Sequence, residues 1–123
     1  MQTTRAILRQ TGGPSVIAWE TVDLPDCGPE DVLVEHTAIG LNYIDTYVRS
    51  GLYPAALPTG LGMEAAGRVV AAGAASGFSA GDRVAAFGPG PGSYATHRIY
   101  PAGDLFRLPD RITDEVAAAA LLK

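Results

Sequence analysis

Apolar and polar positions alternate in six short runs along the chain, and Gly or Pro lies between most of them. Runs of this length that are rich in Val, Ile and aromatic residues are typical of β-strands. They cover residues 4–9, 16–22, 32–40, 67–73, 82–87 and 93–100. A Gly-Gly-Pro turn between the first two runs predicts an opening hairpin. The pattern therefore predicts a mainly β domain.

Two further segments carry helix signals instead. In residues 40–51, Asn42 can cap a helix, Asp45 stands three positions later, and Gly51 is a stop signal. A second, alanine-rich helix is predicted after Thr113, which can cap its first turn. Helices this short are marginal alone, so each needs another element to pack against.

The composition narrows the class of protein. A chain of 123 residues is long enough for one domain with a core. The net charge of −4, without a cluster of basic and aromatic residues, argues against a nucleic-acid partner. No apolar run is long enough to span a membrane, and the first ten residues lack a signal-peptide core, so a cytoplasmic location is predicted. The single cysteine, Cys27, excludes an intrachain disulfide, and its acidic neighbours disfavour a reactive thiolate.

Residues 57–73 contain a glycine pattern that resembles a phosphate-binding loop. Gly60, Gly62 and Ala65 match the spacing of a dinucleotide-binding fingerprint. That fingerprint functions where a strand precedes it and a helix follows it. Here prolines precede the glycines, which disfavours a central strand, and a β-branched run follows them, which disfavours a helix. The glycines are predicted instead to permit a tight turn and close backbone approach.

Metal ligands are scarce in the sequence. Zinc sites need three or four Cys, His or carboxylate ligands that converge. The chain has one cysteine and two histidines, His36 and His97, and each histidine lies in a predicted strand. We therefore predict no metal site and interpret both histidines as residues of the sheet.

The first predicted helix carries the best candidate for a functional site. Asn42, Asp45 and Arg49 fall at i, i+3 and i+7, on one face, and Tyr47 and Tyr53 lie close by in sequence. Such a face can line a pocket for a planar aromatic substrate. The alternative is a solvated helix face on which Asp45 and Arg49 pair at i, i+4.

Four segments together resemble the N-terminal domain of the quinone oxidoreductases, the zinc-independent, zeta-crystallin-like branch of the medium-chain dehydrogenase/reductase superfamily. They are AIGLNYIDTYVRSGLYP, LPTGLGMEAAGRVVAAG, AGDRVAAFG and GSYATHRIYPAGDLFRLPD, in this order and spacing. The resemblance implies that residues 1–123 form a GroES-like, partly open β-barrel with two or three short helices. It also implies a cleft between this substrate-side domain and a following Rossmann domain that binds NADPH.

The resemblance also implies a site without zinc. Zinc-dependent relatives place a cysteine ligand where this chain has Asn42, and a Gly-His-Glu motif where it has Gly62, Met63 and Glu64. They insert a four-cysteine lobe after the Gly-Asp-Arg-Val motif, which this chain lacks. For Glu64, the resemblance implies a position near the cleft, and a structural role that holds the helix or a backbone N–H is expected.

Particular residues follow from the same resemblance. It implies catalytic roles for Asn42, Tyr47 and Tyr53, and contacts to the cofactor from Asn42, Asp45, Tyr47 and Lys123. Hydride transfer to a quinone leaves an oxyanion, which donors must stabilise or protonate. The Asn42 amide and the hydroxyls of Tyr47 and Tyr53 are the candidate donors.

The expected activity is reduction of quinones by NADPH, through hydride or single electrons, in a homodimeric parent protein. An enoyl or 2-alkenal reductase of the same superfamily is the enzymatic alternative, and the motifs do not separate the two. A non-enzymatic, self-associating barrel is expected if the natural chain ends at Lys123. The glycine-rich Rossmann segment does not occur in these residues, so we expect a fragment that is inactive alone.

Overall fold

The computed structural model describes residues 1–121, and in this range strands dominate. The strands are β1 (Gln2–Leu8), β2 (Ile17–Asp23), β3 (Asp31–Ile39), β4 (Glu64–Ala72), β5 (Arg83–Phe87), β6 (His97–Pro101) and β7 (Leu105–Arg107). The α-helices are α1 (Tyr43–Ser50) and α2 (Asp114–Ala120), and single 3-10 turns cover Pro14–Val16 and Ala102–Asp104. Neither α-helix is long and apolar enough to cross a membrane. The expected mainly β fold with a few short helices is confirmed.

The strands form two antiparallel sheets. β1 and β2 form the predicted hairpin, and the other five strands pair in the order β6-β3-β4-β5-β7. The hairpin is tied to loops of the larger sheet. The Ala6 N–H donates to the Tyr94 carbonyl at 2.8 Å, and Leu8 and Thr59 exchange backbone hydrogen bonds of 2.8 and 2.9 Å. These links curl the sheets into a partly open barrel, as the GroES-like expectation required.

Three clusters of buried apolar residues hold the layers together. The largest lies on the five-stranded sheet and contains Val32, Val34, Val69, Val84, Ala86, Tyr100 and Leu105. The second packs α2 on the sheet through Ala66, Ala85, Ala117 and Ala118. The third packs α1 against β1 and the loop before β4 through Leu8, Val48 and Leu61. Both helices are thus supported by neighbours, as their short length requires.

Polar contacts fix the start of α2. The Thr113 hydroxyl accepts the Val116 N–H at 3.2 Å, which is the predicted N-cap. The Asp114 carboxylate accepts the Thr37 hydroxyl at 2.6 Å and an Arg83 guanidinium N–H at 2.7 Å. The Thr37 hydrogen bond and then Arg83 lower the pKa of Asp114, so the pair is charged at neutral pH.

Apart from shifts of one or two residues, the strands differ from the sequence prediction in three places. The strand predicted at 67–73 begins earlier, at Glu64, and the short strand β7 was missed. The strand predicted at 93–100 is regular only from His97. Its first residues bond elsewhere, because the N–H groups of Ser93 and Tyr94 donate to the Gly62 and Leu61 carbonyls.

Candidate functional site

Local capping places α1 as the sequence predicts. Asn42 has extended backbone angles and begins the helix, and its backbone N–H donates to Asp45 Oδ2 at 3.1 Å. The two residues form a capping box, in which the acidic side chain satisfies a backbone N–H ahead of the helix. Gly51 ends the helix with φ of +89°, a left-handed conformation that suits glycine. Both predicted ends of α1 are confirmed.

Asp45 has a second partner that the sequence pattern did not indicate. The Tyr94 hydroxyl donates to the same Asp45 Oδ2 at 2.5 Å. Burial, and then the hydrogen bond to Asp45, raise the pKa of Tyr94 above its ordinary value. Gly62 makes room for this ring, because a Cβ there would lie 2.4 Å from Tyr94 Cδ1. The sequence did not indicate Tyr94 as a site residue because it lay in a predicted strand. The sequence signal for its position was Gly62, which packs against its ring.

Asn42, Asp45 and Arg49, which were predicted to share one face of α1, bind to different parts of the fold. Asn42 and Asp45 are buried, and Asp45 bonds to Tyr94 rather than to Arg49. The Arg49 guanidinium instead donates to the Gly12 carbonyl at 3.2 Å. None of the ion pairs within residues 1–121 joins Asp45 to Arg49, so the solvated-face alternative is wrong for this pair. Asp45 is instead buried and accepts the backbone N–H of Asn42 at the start of the helix.

Asn42 is held by a buried carboxylate. Its side-chain N–H donates to Glu64 Oε2 at 2.7 Å, and Glu64 is fully buried at the start of β4. The other Glu64 oxygen, Oε1, accepts the backbone N–H of Leu121 at 3.0 Å. Both contacts are of the kind that the expected structural role of Glu64 requires, and the role itself stays a prediction.

Two tyrosines form an aromatic pair at the end of α1. The rings of Tyr47 and Tyr53 lie 5.3 Å apart, centroid to centroid, at an angle of 52°. The Tyr53 backbone N–H donates to the Tyr47 carbonyl at 3.1 Å, which holds the loop after α1 against the helix. Tyr53 is 48% exposed, so a ligand can reach part of this residue.

The residues considered for metal or covalent chemistry are engaged elsewhere. His36 Nδ1 contacts the Ala95 carbonyl at 2.8 Å, and its Nε2 contacts the Tyr100 hydroxyl at 2.7 Å. Burial lowers the pKa of His36 to about 4. His97 Nε2 lies 3.3 Å from a Glu35 carboxylate oxygen. Cys27 is half-buried in the loop before β3, and burial raises its pKa, which disfavours the thiolate.

No phosphate cradle forms at residues 60–65. The segment leads directly into strand β4, so no helix N–H groups face a ligand there. Across residues 1–121 no group of three or more His, Cys, Asp or Glu side chains is placed to hold a metal ion. Lys123, which the resemblance assigns to the cofactor, lies outside the described residues.

Comparison with known proteins identifies the class. Residues 28–110 match the alcohol dehydrogenase GroES-like domain. The chain belongs to this family, whose match covers most of the sheet and all of α1.

Several of the relatives are quinone oxidoreductases. The chain is 49% identical over 115 residues to the quinone oxidoreductase of Pseudomonas aeruginosa. The aligned residues cover 91% of this chain and 35% of that protein. The structure of Escherichia coli quinone oxidoreductase complexed with NADPH matches with a TM-score of 0.83 at 41% identity, over 97% of this chain and 37% of that chain. The 2-haloacrylate reductase of Burkholderia sp. is 37% identical, over 95% of this chain and 37% of that protein. The resemblance to quinone oxidoreductases is thus confirmed, and the chain spans about a third of the length of these relatives.

Proposed function

We propose that this chain is the substrate-side domain of an NADPH-dependent quinone oxidoreductase that works without zinc. One observation carries the proposal: 49% identity to a quinone oxidoreductase over nearly the whole chain. The fold match to a relative complexed with NADPH supports the choice of cofactor. The geometry of α1 and Glu64 supplies the residues that such a domain needs.

The Asn42 side chain fits a donor role in this reaction. Its amide nitrogen has two N–H groups, and the Glu64 carboxylate accepts from this nitrogen. A carboxylate only accepts, so the amide cannot turn its oxygen toward Glu64 without losing the contact. One N–H therefore remains on a side chain of fixed orientation, and this is the group that we assign to the ligand.

The aromatic pair fits a planar ligand. Tyr47 and Tyr53 are held together by ring contact and by a backbone hydrogen bond, and Tyr53 is half exposed. Aromatic faces bind flat rings such as a quinone or a nicotinamide in offset or edge contacts. We therefore assign these rings to orientation of the substrate beside the cofactor.

These positions suggest a separate role for the cofactor and for each polar side chain of the site. NADPH, when bound, supplies the hydride. Asn42 donates to the oxygen on which negative charge develops, and the Tyr53 hydroxyl is the candidate proton donor. Tyr94 is unsuited to that step because its hydroxyl already donates to Asp45, and its pKa is raised. A preorganised donor of this kind lowers the barrier without reorganising water.

The zinc-free part of the proposal rests on the donor set. Asn42 uses its side-chain nitrogen as a donor to Glu64, and Met63 offers only a thioether. A neutral amide and a thioether are poor replacements for the thiolate and imidazole that zinc prefers. Quinone carbonyls accept hydride readily, so positioning and hydrogen bonding are sufficient for the protein's part.

A chimera tests the proposed function. Residues 1–123 replace the matching part of the P. aeruginosa relative, and NADPH oxidation is measured with benzoquinone in the presence and absence of EDTA. We expect turnover by the chimera, none by residues 1–123 alone, and no loss of rate on chelation. A folded chimera without turnover would refute the proposed activity, and a rate lost to EDTA and restored by Zn²⁺ would refute the zinc-free part.

A second function is favoured by one relative. The 2-haloacrylate reductase is named for a substrate with an activated C=C bond, and it matches 95% of this chain. The alternative is therefore hydride transfer to an activated alkene, in place of a quinone. The same chimera decides between them by kcat/KM, with benzoquinone compared to 2-chloroacrylate and a 2-alkenal. A higher value for either alkene would favour the alternative.

We also propose a cytoplasmic, homodimeric parent protein that uses no nucleic-acid or membrane partner. The acidic composition supports the exclusion of nucleic acid, because phosphate contacts need basic surface. Light scattering of the chimera tests the dimer, and a monomer at assay concentration would contradict it.

A further inference from the structure

Glu64 lies where three separate parts of the fold meet. Its side chain is fully buried, and its two oxygens accept one hydrogen bond each, from Asn42 ahead of α1 and from Leu121 after α2. Its backbone carbonyl accepts the Gly40 N–H at 2.9 Å. One residue thus contacts the end of β3, the start of α1 and the end of α2.

The packing around this carboxylate leaves little freedom. A Cβ on Gly40 would lie 2.4 Å from Glu64 Cγ and 2.2 Å from the Ala118 carbonyl oxygen. Only glycine therefore allows the side chain and α2 to come this close at that point. The Glu64 side chain is fully buried at this contact, where Gly40 and α2 pack closely around it.

Both side-chain oxygens of Glu64 act as hydrogen-bond acceptors. Asn42 presents an amide nitrogen and Leu121 a backbone N–H, and both are donors. A glutamine at this position would offer one acceptor and one NH2 group, so the Asn42 amide would either meet that NH2 group with its own or turn over and present its oxygen instead. Both Glu64 oxygens are thus occupied as hydrogen-bond acceptors.

We propose that Glu64 is a positioning residue, whose carboxylate holds the Asn42 amide in the orientation that serves the bound ligand, and holds it relative to the end of α2. The expected effect of Glu64 on turnover rests on the proposed function. The orientation itself does not rest on that function, because the hydrogen bonds define it in the chain alone.

A reciprocal exchange of donor and acceptor tests this role. Glu64→Gln removes the acceptor that fixes the Asn42 amide, so the amide loses its contact or turns over, and Asn42→Asp sets two carboxylates against each other. In the double variant the new glutamine can donate to the new carboxylate, and its oxygen can still accept the Leu121 N–H. Glu35→Gln is the matched control, because it removes a carboxylate that is 56% exposed on β3.

Two readouts are compared. We expect Asn42→Asp in residues 1–123 to melt at lower temperature, and the double variant to recover most of the loss, because a donor again faces the carboxylate. In the chimera, Glu64→Gln and the double variant should lower kcat/KM by about 100-fold, the scale on which loss of geometry slows a reaction. Glu35→Gln should change neither readout.

The outcomes separate a positioning role from a structural one. A Glu64→Gln chimera that keeps its kcat/KM would overturn the proposal, as would a double variant that is no more stable than Asn42→Asp. The Asn42 side-chain amide signals in NMR spectra of residues 1–123 give a direct check, and we expect Glu64→Gln to shift them. An inactive wild-type chimera would refute the proposed function, whereas unshifted amide signals would refute the positioning role.

Discussion

Replacement of Gly67 by alanine will lower the free energy of unfolding by about 3 kcal/mol or more, at the upper end of the range for overpacked sites. Gly67 lies in β4 between β3 and β5, opposite His36 and Val84. A Cβ there would lie 2.0 Å from the Glu35 carbonyl oxygen and 3.0 Å from His36 Cα. These are backbone atoms of a central strand, so relief of the clash requires separation of β3 from β4.

Gly103→Ala provides the matched control for this change. A Cβ on Gly103 meets no atom within 4 Å, and the residue lies in an exposed 3-10 turn. We expect this variant to be as stable as the wild type or slightly more so, since alanine restricts the unfolded chain. Urea unfolding of residues 1–123 measures both variants. Equal midpoints for Gly67→Ala and the wild type would show that β3 and β4 are not packed as described.

Acidification from pH 7 toward pH 4 will destabilise the domain by about 3 kcal/mol through His36 alone. The folded-state pKa is lowered from 6.5 to about 4, chiefly by burial. Between these values the unfolded chain binds a proton that the folded chain does not, so stability falls as the pH falls. Above pH 6.5 both states hold a neutral ring, and the effect is absent.

The geometry explains why the neutral form is favoured. The Ala95 carbonyl can only accept, so the ring proton lies on Nδ1, and Nε2 accepts from the Tyr100 hydroxyl. Protonation would bury a charge and oblige the Tyr100 hydroxyl to turn and accept, and the nearby Arg98 also opposes the charge. Urea unfolding of the wild type and His36→Gln from pH 7 to pH 5 isolates the effect as their difference. NMR titration of His36 in the wild type is the direct check, and a pKa near 6.5 would contradict the account.

Local signals in the sequence were sufficient for most of the fold. The alternation of apolar residues predicted six of the strands, and Asn42 and Gly51 predicted both ends of α1. The strand β7 was missed because three residues are too few for a periodic pattern. The first half of the run at 93–100 was misassigned because its backbone bonds to a distant loop, which propensity does not encode.

The candidate site was only partly predictable, for a related reason. The capping box of α1 joins residues three apart and can be seen in the sequence. The bonds from Tyr94 to Asp45 and from Asn42 to Glu64 join residues 49 and 22 positions apart, which no spacing rule relates. Resemblance indicated a structural role for Glu64, but only the structure showed that the same carboxylate also holds Leu121.

We propose, as the central claim, that the α1 side of this domain forms the substrate wall of an NADPH-dependent reductase. The most direct test is kcat/KM for benzoquinone in a chimera that carries Tyr47→Ala and Tyr53→Ala, beside a Phe106→Ala control. Phe106 is an aromatic residue of β7 that is 56% exposed, on the strand that ends the five-stranded sheet. We predict a fall of about 100-fold for the tyrosine pair, because the ring would no longer be oriented, and no change for the control. An unchanged kcat/KM in a folded tyrosine variant would contradict the account.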